Sequence, residues 1–247
     1  AMMRSVREIL SQKKFGYEQE LKKRRVKRSY YMSMEFLVGR TLRNNLFNLG
    51  IEKEIESYLS KHHISLDEIY QIEPDPGLGN GGLGRLASCY LDALTSQDYP
   101  VTGFSILYEY GIFKQVINNG WQQEFPDHWL DLGKYGLVYR NDEEVEVRFY
   151  GNIKEEMTLE GFRVTHEDYT AIQAEPYDLL ISGYDTDTVN TLRLWEAKAK
   201  TGFNMKLFER GEYSRSSEAE AIASSISKLL YPADSTREGK ELRIKQQ

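Results

Sequence analysis

The sequence predicts an α/β protein carrying an antiparallel or mixed β insertion, and three observations lead there. Helix-like and strand-like periods alternate over the first hundred or so residues. Beyond them the pattern becomes a meander of short strands before returning to helix. Between the two regimes, Gly77 to Gly84 places five glycines in eight residues directly before a helical stripe.

The elements follow in order. Ser5 to Arg25 is polar, strongly charged and free of breakers apart from Gly16, and reads as helix. Ser29 to Gly39 alternates, with Tyr30, Met32, Met34 and Phe36 on one side, and reads as a strand with Glu35 at its C-terminal end. Leu42, Leu46 and Leu49 return to helical spacing with Gly50 as C-cap. Ile51 to Tyr70 holds two short helices, the second opened by a capping box of Ser65 and Glu68. After the glycines, Leu83, Leu86, Ala87, Tyr90, Leu91 and Leu94 predict one buried helical stripe. Pro100 to Phe113 has strand composition, as does Asn190 to Ala199. Leu137 to Gly151 predicts a hairpin turning at Asn141-Asp142. Ser217 and Glu220 open a helix to Leu230 that Pro232 stops, and a polar helical pattern without a stop signal ends the chain.

Composition narrows the function classes. With 247 residues and 40% hydrophobic content, the chain has the means to build a substantial core. It holds no apolar run of membrane-spanning length and no signal-peptide core. One cysteine, Cys89, excludes an internal disulfide, and four scattered histidines give no metal-ligand spacing. The expectation is a cytoplasmic protein without membrane or metal. The net charge of -6 is uneven: residues 1–48 carry twelve Lys/Arg against four Asp/Glu, leaving twenty against thirty-four elsewhere. The run Lys22 to Arg28 resembles a nucleic-acid patch, but the acidic remainder would be repelled by a polyanion, so no nucleic-acid partner is expected.

The glycines satisfy G-x-G-x-x-G twice, yet the preceding Gln71-Ile-Glu-Pro-Asp-Pro76 is hostile to the strand that a dinucleotide site needs. No Gly-Lys-Ser/Thr follows, so the phosphate loop of nucleotide hydrolases fails too. What remains is physical. Glycines bring backbone close to a ligand, and a helix beginning near Gly82 presents free amides and a positive dipole end. No side chain stands at a normal N-cap position, and Arg85 sits in the first turn where the dipole disfavours it. A bound anion, or a carboxylate such as Asp75, accounts for both. Tight packing of helix on strand, with Arg85 in a salt bridge, accounts for them equally.

Several stretches together resemble the N-terminal region of the α-glucan phosphorylases. They are Tyr30 to Gly50, Asp75 to Leu94, the Tyr108 to Leu130 region, Val189 to Ala199 and Leu229 to Gln247. The resemblance covers Tyr30 to Gln247 in order. It implies that residues 1–247 are an incomplete N-terminal, Rossmann-like domain of a B-type glycosyltransferase fold, with the pyridoxal-phosphate domain absent. The implied reaction transfers the terminal glucose of an α-1,4-glucan to inorganic phosphate, giving α-glucose 1-phosphate with pyridoxal phosphate as cofactor.

By the same resemblance, Asn80, Gly81, Gly82, Leu83 and Gly84 face the substrate phosphate and glucosyl unit, with Gly81 and Gly82 also on the cofactor side. Glu35 is the acidic residue beside them, with the catalytic role of orienting groups around the sugar; an ion pair with Arg40 or Arg85 is its structural alternative. The covalent lysine belongs to the absent domain. A homodimer is a further implication. The chain departs from the family at Gly133-Lys-Tyr-Gly136 and at Leu37, where several members carry an aromatic residue. Glu124, Asp127 and His128 beside Trp121 and Trp129 read as a sugar site or as a core edge. Cys89 reads as a packed thiol, and His62 and His63 as solvated. Two readings stand: part of a phosphorylase, inactive alone, or a non-catalytic glucan-binding or dimerisation module. The reading frame beyond Gln247 separates them.

Overall fold

The computed structural model describes residues 2–131, 133–231 and 234–247; the expected stop at Pro232 lies outside them. The chain forms two compact units. The first comprises residues up to Tyr139, Tyr177–Trp195 and Lys228–Leu230, and the second Arg140–Pro176, Glu196–Ser227 and the chain from Tyr231 onward. The architecture is α/β with a mixed sheet.

The first unit opens with α1 (Met2–Arg24) and β1 (Ser29–Met32). Within and just beyond α1, Glu18 lies between Lys14 at 2.9 Å and Arg28, and these two hold its carboxyl below the usual range even though burial pulls the other way. A depressed folded-state pKa contributes stability above the unfolded carboxylate range, and the contribution is lost as pH falls through the folded value. Glu18→Gln is therefore expected to lower stability at neutral pH and to flatten the acid limb of a stability-against-pH curve, the two curves converging at low pH where Glu18 is protonated in both states. The rest of the basic run, Lys22 to Lys27, is exposed.

Helices α2 (Leu42–Asn48), α3 (Glu52–Ser60), α4 (Leu66–Ile72) and α5 (Gly82–Ser96) then cross over to β2 (Val101–Ile106), which pairs parallel with β1 from Ser29↔Val101 to Met32↔Phe104. A crossover of this kind is what parallel pairing requires. Gly50 sits beyond α2 at φ 69°, the left-handed turn that glycine supplies at a helix end. Ser65 caps α4 by accepting the Glu68 amide at 3.4 Å. Because that bond is long, Ser65→Ala should cost only about 0.5–1 kcal/mol, read as a small fall in urea midpoint. Glu73 caps α2 from a distance: one carboxylate oxygen accepts from Thr41 N at 2.8 Å and Thr41 Oγ1 at 2.9 Å, the other from Leu42 N at 3.0 Å.

A hairpin of β3 (Gly111–Asn118) and β4 (Trp121–Asp127) follows, then β5 (Leu137–Tyr139). In the second unit come β6 (Val145–Phe149) and a hairpin of β7 (Asn152–Thr158) and β8 (Gly161–Glu167). The long strands β9 (Thr170–Ser182) and β10 (Val189–Ala199) each contribute part of their length to both units. Helices α6 (Met205–Glu209), α7 (Tyr213–Ser216), α8 (Glu218–Ile226) and α9 (Arg237–Gln246) complete the order. The first unit's sheet runs β1-β2-β10-β9-β5, with β10 parallel to β2 and β5 antiparallel to β9.

Three expectations are corrected here. Leu137 to Gly151 is not a hairpin: a 3-10 turn at Asn141–Glu143 separates β5 from β6, and both pair with β9. Two strands that share a third partner need no tight turn between them. The strand from Ser29 ends at Met32, and its expected apolar face is open, with Tyr30 and Met32 exposed. The buried face of α5 is Gly84, Ala87, Ser88, Leu91 and Thr95, while Leu83, Leu86 and Tyr90 are exposed. Small side chains let this helix lie close to the sheet, where Phe36, Leu91, Val101, Leu107, Leu192 and Leu194 share one core. Its C-terminal end is locked by Asn190, which donates to Thr95 Oγ1 at 3.0 Å and Tyr99 O at 2.8 Å and accepts Val101 N–H at 3.1 Å.

Candidate functional site

Beyond Met32 the chain keeps to the carboxyl end of β2, with Ser33 N donating to Phe104 O at 3.1 Å. It then runs against the glycine loop. Phe36 N donates to Leu78 O at 2.8 Å, and Leu37 N to Gly84 O at 3.0 Å. Glu35 lies between these contacts, only 3% exposed, and its Oε2 accepts the Asn80 N–H at 2.8 Å. Tyr108 braces the segment by donating its hydroxyl to Met34 O, and Trp129 Nε1 donates to Tyr108 O, both at 2.9 Å. The site thus sits at the carboxyl ends of parallel strands, where open α/β sheets bind ligands.

The loop's glycines divide into two groups. A Cβ on Gly79 would stand 2.9 Å from Leu37 N, and one on Gly84 would stand 2.9 Å from Glu35 Cγ and 3.0 Å from Glu35 Oε2. A Cβ on Gly77 would collide with Gly111 Cα and lie 2.7 Å from Trp129 Cδ1. Close packing accounts for these three. Gly81 and Gly82 differ: a Cβ on either meets nothing within 4 Å, and neither has a left-handed φ. Gly81 is the N-cap of α5 at φ −152°, extended backbone open to any residue, and no side chain caps the helix. The first helical bond is Arg85 N to Gly81 O at 3.0 Å, so the amides of Gly82, Leu83 and Gly84 open the helix without an internal acceptor. Packing of helix on strand thus accounts for Gly77, Gly79 and Gly84, and no contact of the fold accounts for Gly81 and Gly82.

The structure brings Glu35, Asn80, Gly81, Gly82, Leu83 and Gly84 together, as the resemblance implied. Leu83 is 72% exposed at the helix mouth. Asp75 is exposed, and its carboxylate makes no hydrogen bond or ion pair among the described residues. Arg85 turns away to line a polar cavity of about 180 Å³ with Arg40, Asn44, Cys89 and Asp92. Cys89 is exposed rather than packed, because α5 buries the neighbouring Ser88 instead.

The aromatic-acidic cluster separates: Trp129 is buried in the core, Trp121 is 77% exposed on β4, and His128 meets Tyr110 edge-on at 4.3 Å. A second cavity of about 660 Å³, lined mainly by apolar groups such as Met3, Ile55, Tyr58 and Trp129, lies elsewhere in the first unit. The one carboxylate in its lining, Glu73, is engaged in capping α2. Among the described residues no group of three His, Cys, Asp or Glu could hold a metal. No described helix is long and apolar enough to cross a membrane.

An uncapped helix mouth beside a buried carboxylate, at the carboxyl ends of parallel strands, is a setting in which α/β folds in general bind anions. The model of the carbohydrate phosphorylases matches residues 59–247, and the chain belongs to that family. It is 46% identical over 223 residues to the glycogen phosphorylase of Chlamydia pneumoniae, and 44% identical over 223 residues to that of Chlamydia trachomatis; each match covers 90% of this chain and 27% of the relative. The brain form of human glycogen phosphorylase is 42% identical over all 247 residues, 29% of its own length. The chain thus spans a little over a quarter of the relatives it matches and corresponds to an N-terminal part of a phosphorylase.

Proposed function

We propose that this chain supplies the phosphate- and glucosyl-facing loop of an α-1,4-glucan phosphorylase. The enzyme transfers a terminal glucose to inorganic phosphate with retention and releases α-glucose 1-phosphate. The supporting observation is the open space over Gly81 and Gly82, which the fold's own packing does not demand. The amides of Gly82, Leu83 and Gly84 donate to an anion at the positive end of α5, and charge that develops there during transfer is held by groups already in place. Glu35 acts by positioning: its grip on the Asn80 amide fixes the loop's approach to the helix.

Pyridoxal phosphate fits this setting on the cofactor side of Gly81 and Gly82, where a neighbouring group meets no Cβ, while Pro74 to Gln97 contains no lysine to attach it. When bound, that cofactor supplies proton exchange through its own phosphate. The proposal includes a Rossmann-like B-type fold, residues 1–247 as an incomplete N-terminal domain completed by a pyridoxal-phosphate domain, a cytoplasmic setting and a homodimer. Exposed Leu83, Leu86 and Tyr90 suit a face that the rest of such an enzyme covers.

Alone, the 247-residue chain has only the helix dipole and a few solvated amides with which to hold phosphate. These supply about 1–2 kcal/mol, against about 4 kcal/mol for millimolar binding. Glucose 1-phosphate release from glycogen and maltoheptaose, with pyridoxal phosphate added, should therefore stay at background for this chain. It should appear when the chain is part of its longer protein. Turnover by the chain alone would put the catalytic groups inside it, and none from the longer protein would sink the phosphorylase reading.

A further inference from the structure

The cavity of about 660 Å³ lies wholly in the first unit, at the seam between two buried clusters. Leu78, Trp129, Leu137 and Leu179 of one cluster, and Leu42 and Leu59 of the other, supply its buried lining. Protein interiors leave few voids larger than a water molecule, and apolar walls give water nothing to bond to. The volume is that of a ligand site. The lining reaches solvent at Tyr58, Ile72 and Tyr135, which are 62%, 66% and 47% exposed, so entry does not require the unit to unfold. Met2 and Met3, half-buried, add flexible side chains that adapt to what they meet.

The charge along the Tyr135 rim is positive. The Arg4 guanidinium lies 4.7 Å from the centre of the Tyr135 ring, and Arg7 Nη1 donates to Tyr135 O at 3.2 Å and to Leu137 O at 3.0 Å. Lys134 is part of the lining, with Nζ 4.0 Å from the centre of the Tyr177 ring. Neither Arg4 nor Arg7 makes an ion pair among the described residues, and Arg7 Nε and Nη2 donate to none of them. The carboxylate in the lining, Glu73, is already taken by Thr41 and Leu42.

We propose that this cavity binds an aliphatic monocarboxylate, its chain on the apolar lining and its head group at Arg4 and Arg7. The walls select the tail, and the guanidinium forks, which match the two oxygens of a carboxylate, select the head. A neutral lipid would leave both arginines unused, and a sugar phosphate would find no polar wall for its hydroxyls. Asn80 to Gly84 do not line the cavity, so this site is separate from the helix mouth of α5.

Calorimetric titration of the 247-residue chain with octanoate, decanoate and dodecanoate, each below its micelle-forming concentration, tests this. One molecule should bind per chain. Each two-carbon extension should tighten binding about tenfold while the cavity has room, since a buried methylene contributes a factor of about four. Ile72→Trp, which adds bulk at the mouth from an exposed position, should abolish uptake. Arg4→Glu should weaken decanoate about tenfold and leave decanol unchanged, a split that a damaged fold cannot produce. Absence of decanoate binding overturns the proposal, as does an affinity indifferent to chain length. So does an Ile72→Trp variant that binds as the unsubstituted chain does, or an Arg4→Glu variant that treats acid and alcohol alike. The phosphorylase reading stands or falls separately, on glucose 1-phosphate release.

Discussion

Gly77→Ala is expected to destabilise the first unit by about 3 kcal/mol or more, the upper end of what overpacking costs. The new methyl would collide with Gly111 Cα and sit 2.7 Å from both Gly111 N and Trp129 Cδ1. Two of these three atoms are backbone, so no rotamer change relieves the overlap. Trp129 is itself held through Nε1 to Tyr108 O, and Tyr108 through its hydroxyl to Met34 O. A shift at Gly77 therefore propagates to the segment that carries Glu35. Urea unfolding should show a clear drop in midpoint. A midpoint within experimental error of the unsubstituted chain would mean that the loop and the β3 strand separate easily.

Gly82→Ala should behave in the opposite sense on the fold and have its large effect on chemistry. At the first position of α5 the added methyl meets nothing, and the left-handed region is not used. The substitution should leave stability unchanged or raise it by about 0.4–1 kcal/mol through the unfolded chain. In the longer enzyme, however, the methyl enters the space the phosphate is proposed to occupy. Displacing a charge-assisted amide contact worth about 1.5–3 kcal/mol should lower kcat/KM toward phosphate about ten- to a hundredfold. Glucan affinity should change less. Unchanged kinetics would reduce the loop to a packing device.

Much of the first unit was legible because its signals are local. The Ser65 N-cap, Gly50 after α2 and the uncapped glycines before α5 each act within a few residues. The glycine loop was legible as a place but not as a division of labour. Which glycines answer to packing depends on Glu35, Leu37 and Gly111, distant in sequence. The stripe on α5 was misread for a related reason. Apolar periodicity marks the larger side chains, whereas this helix approaches its sheet through Gly84, Ala87 and Ser88 and leaves Leu83, Leu86 and Tyr90 outside. Residues 137–149 read as a hairpin because strand composition says nothing about which strand is the partner; β9 pairs with both halves. The exposure of Cys89 follows from the same small-residue face.

The division into two units cuts the chain at five places, after Tyr139, Pro176, Trp195, Ser227 and Leu230. Two of those places fall inside the unbroken strands β9 and β10. Neither unit is therefore one continuous stretch of polypeptide, and no single protease nick or pair of gene boundaries can release one of them whole. Recombination that shuffles modules has no clean seam here, and a truncation meant to keep the glycine loop while discarding the β7–β8 hairpin must rebuild two strands. Within these residues, the two units can be exchanged or removed only together.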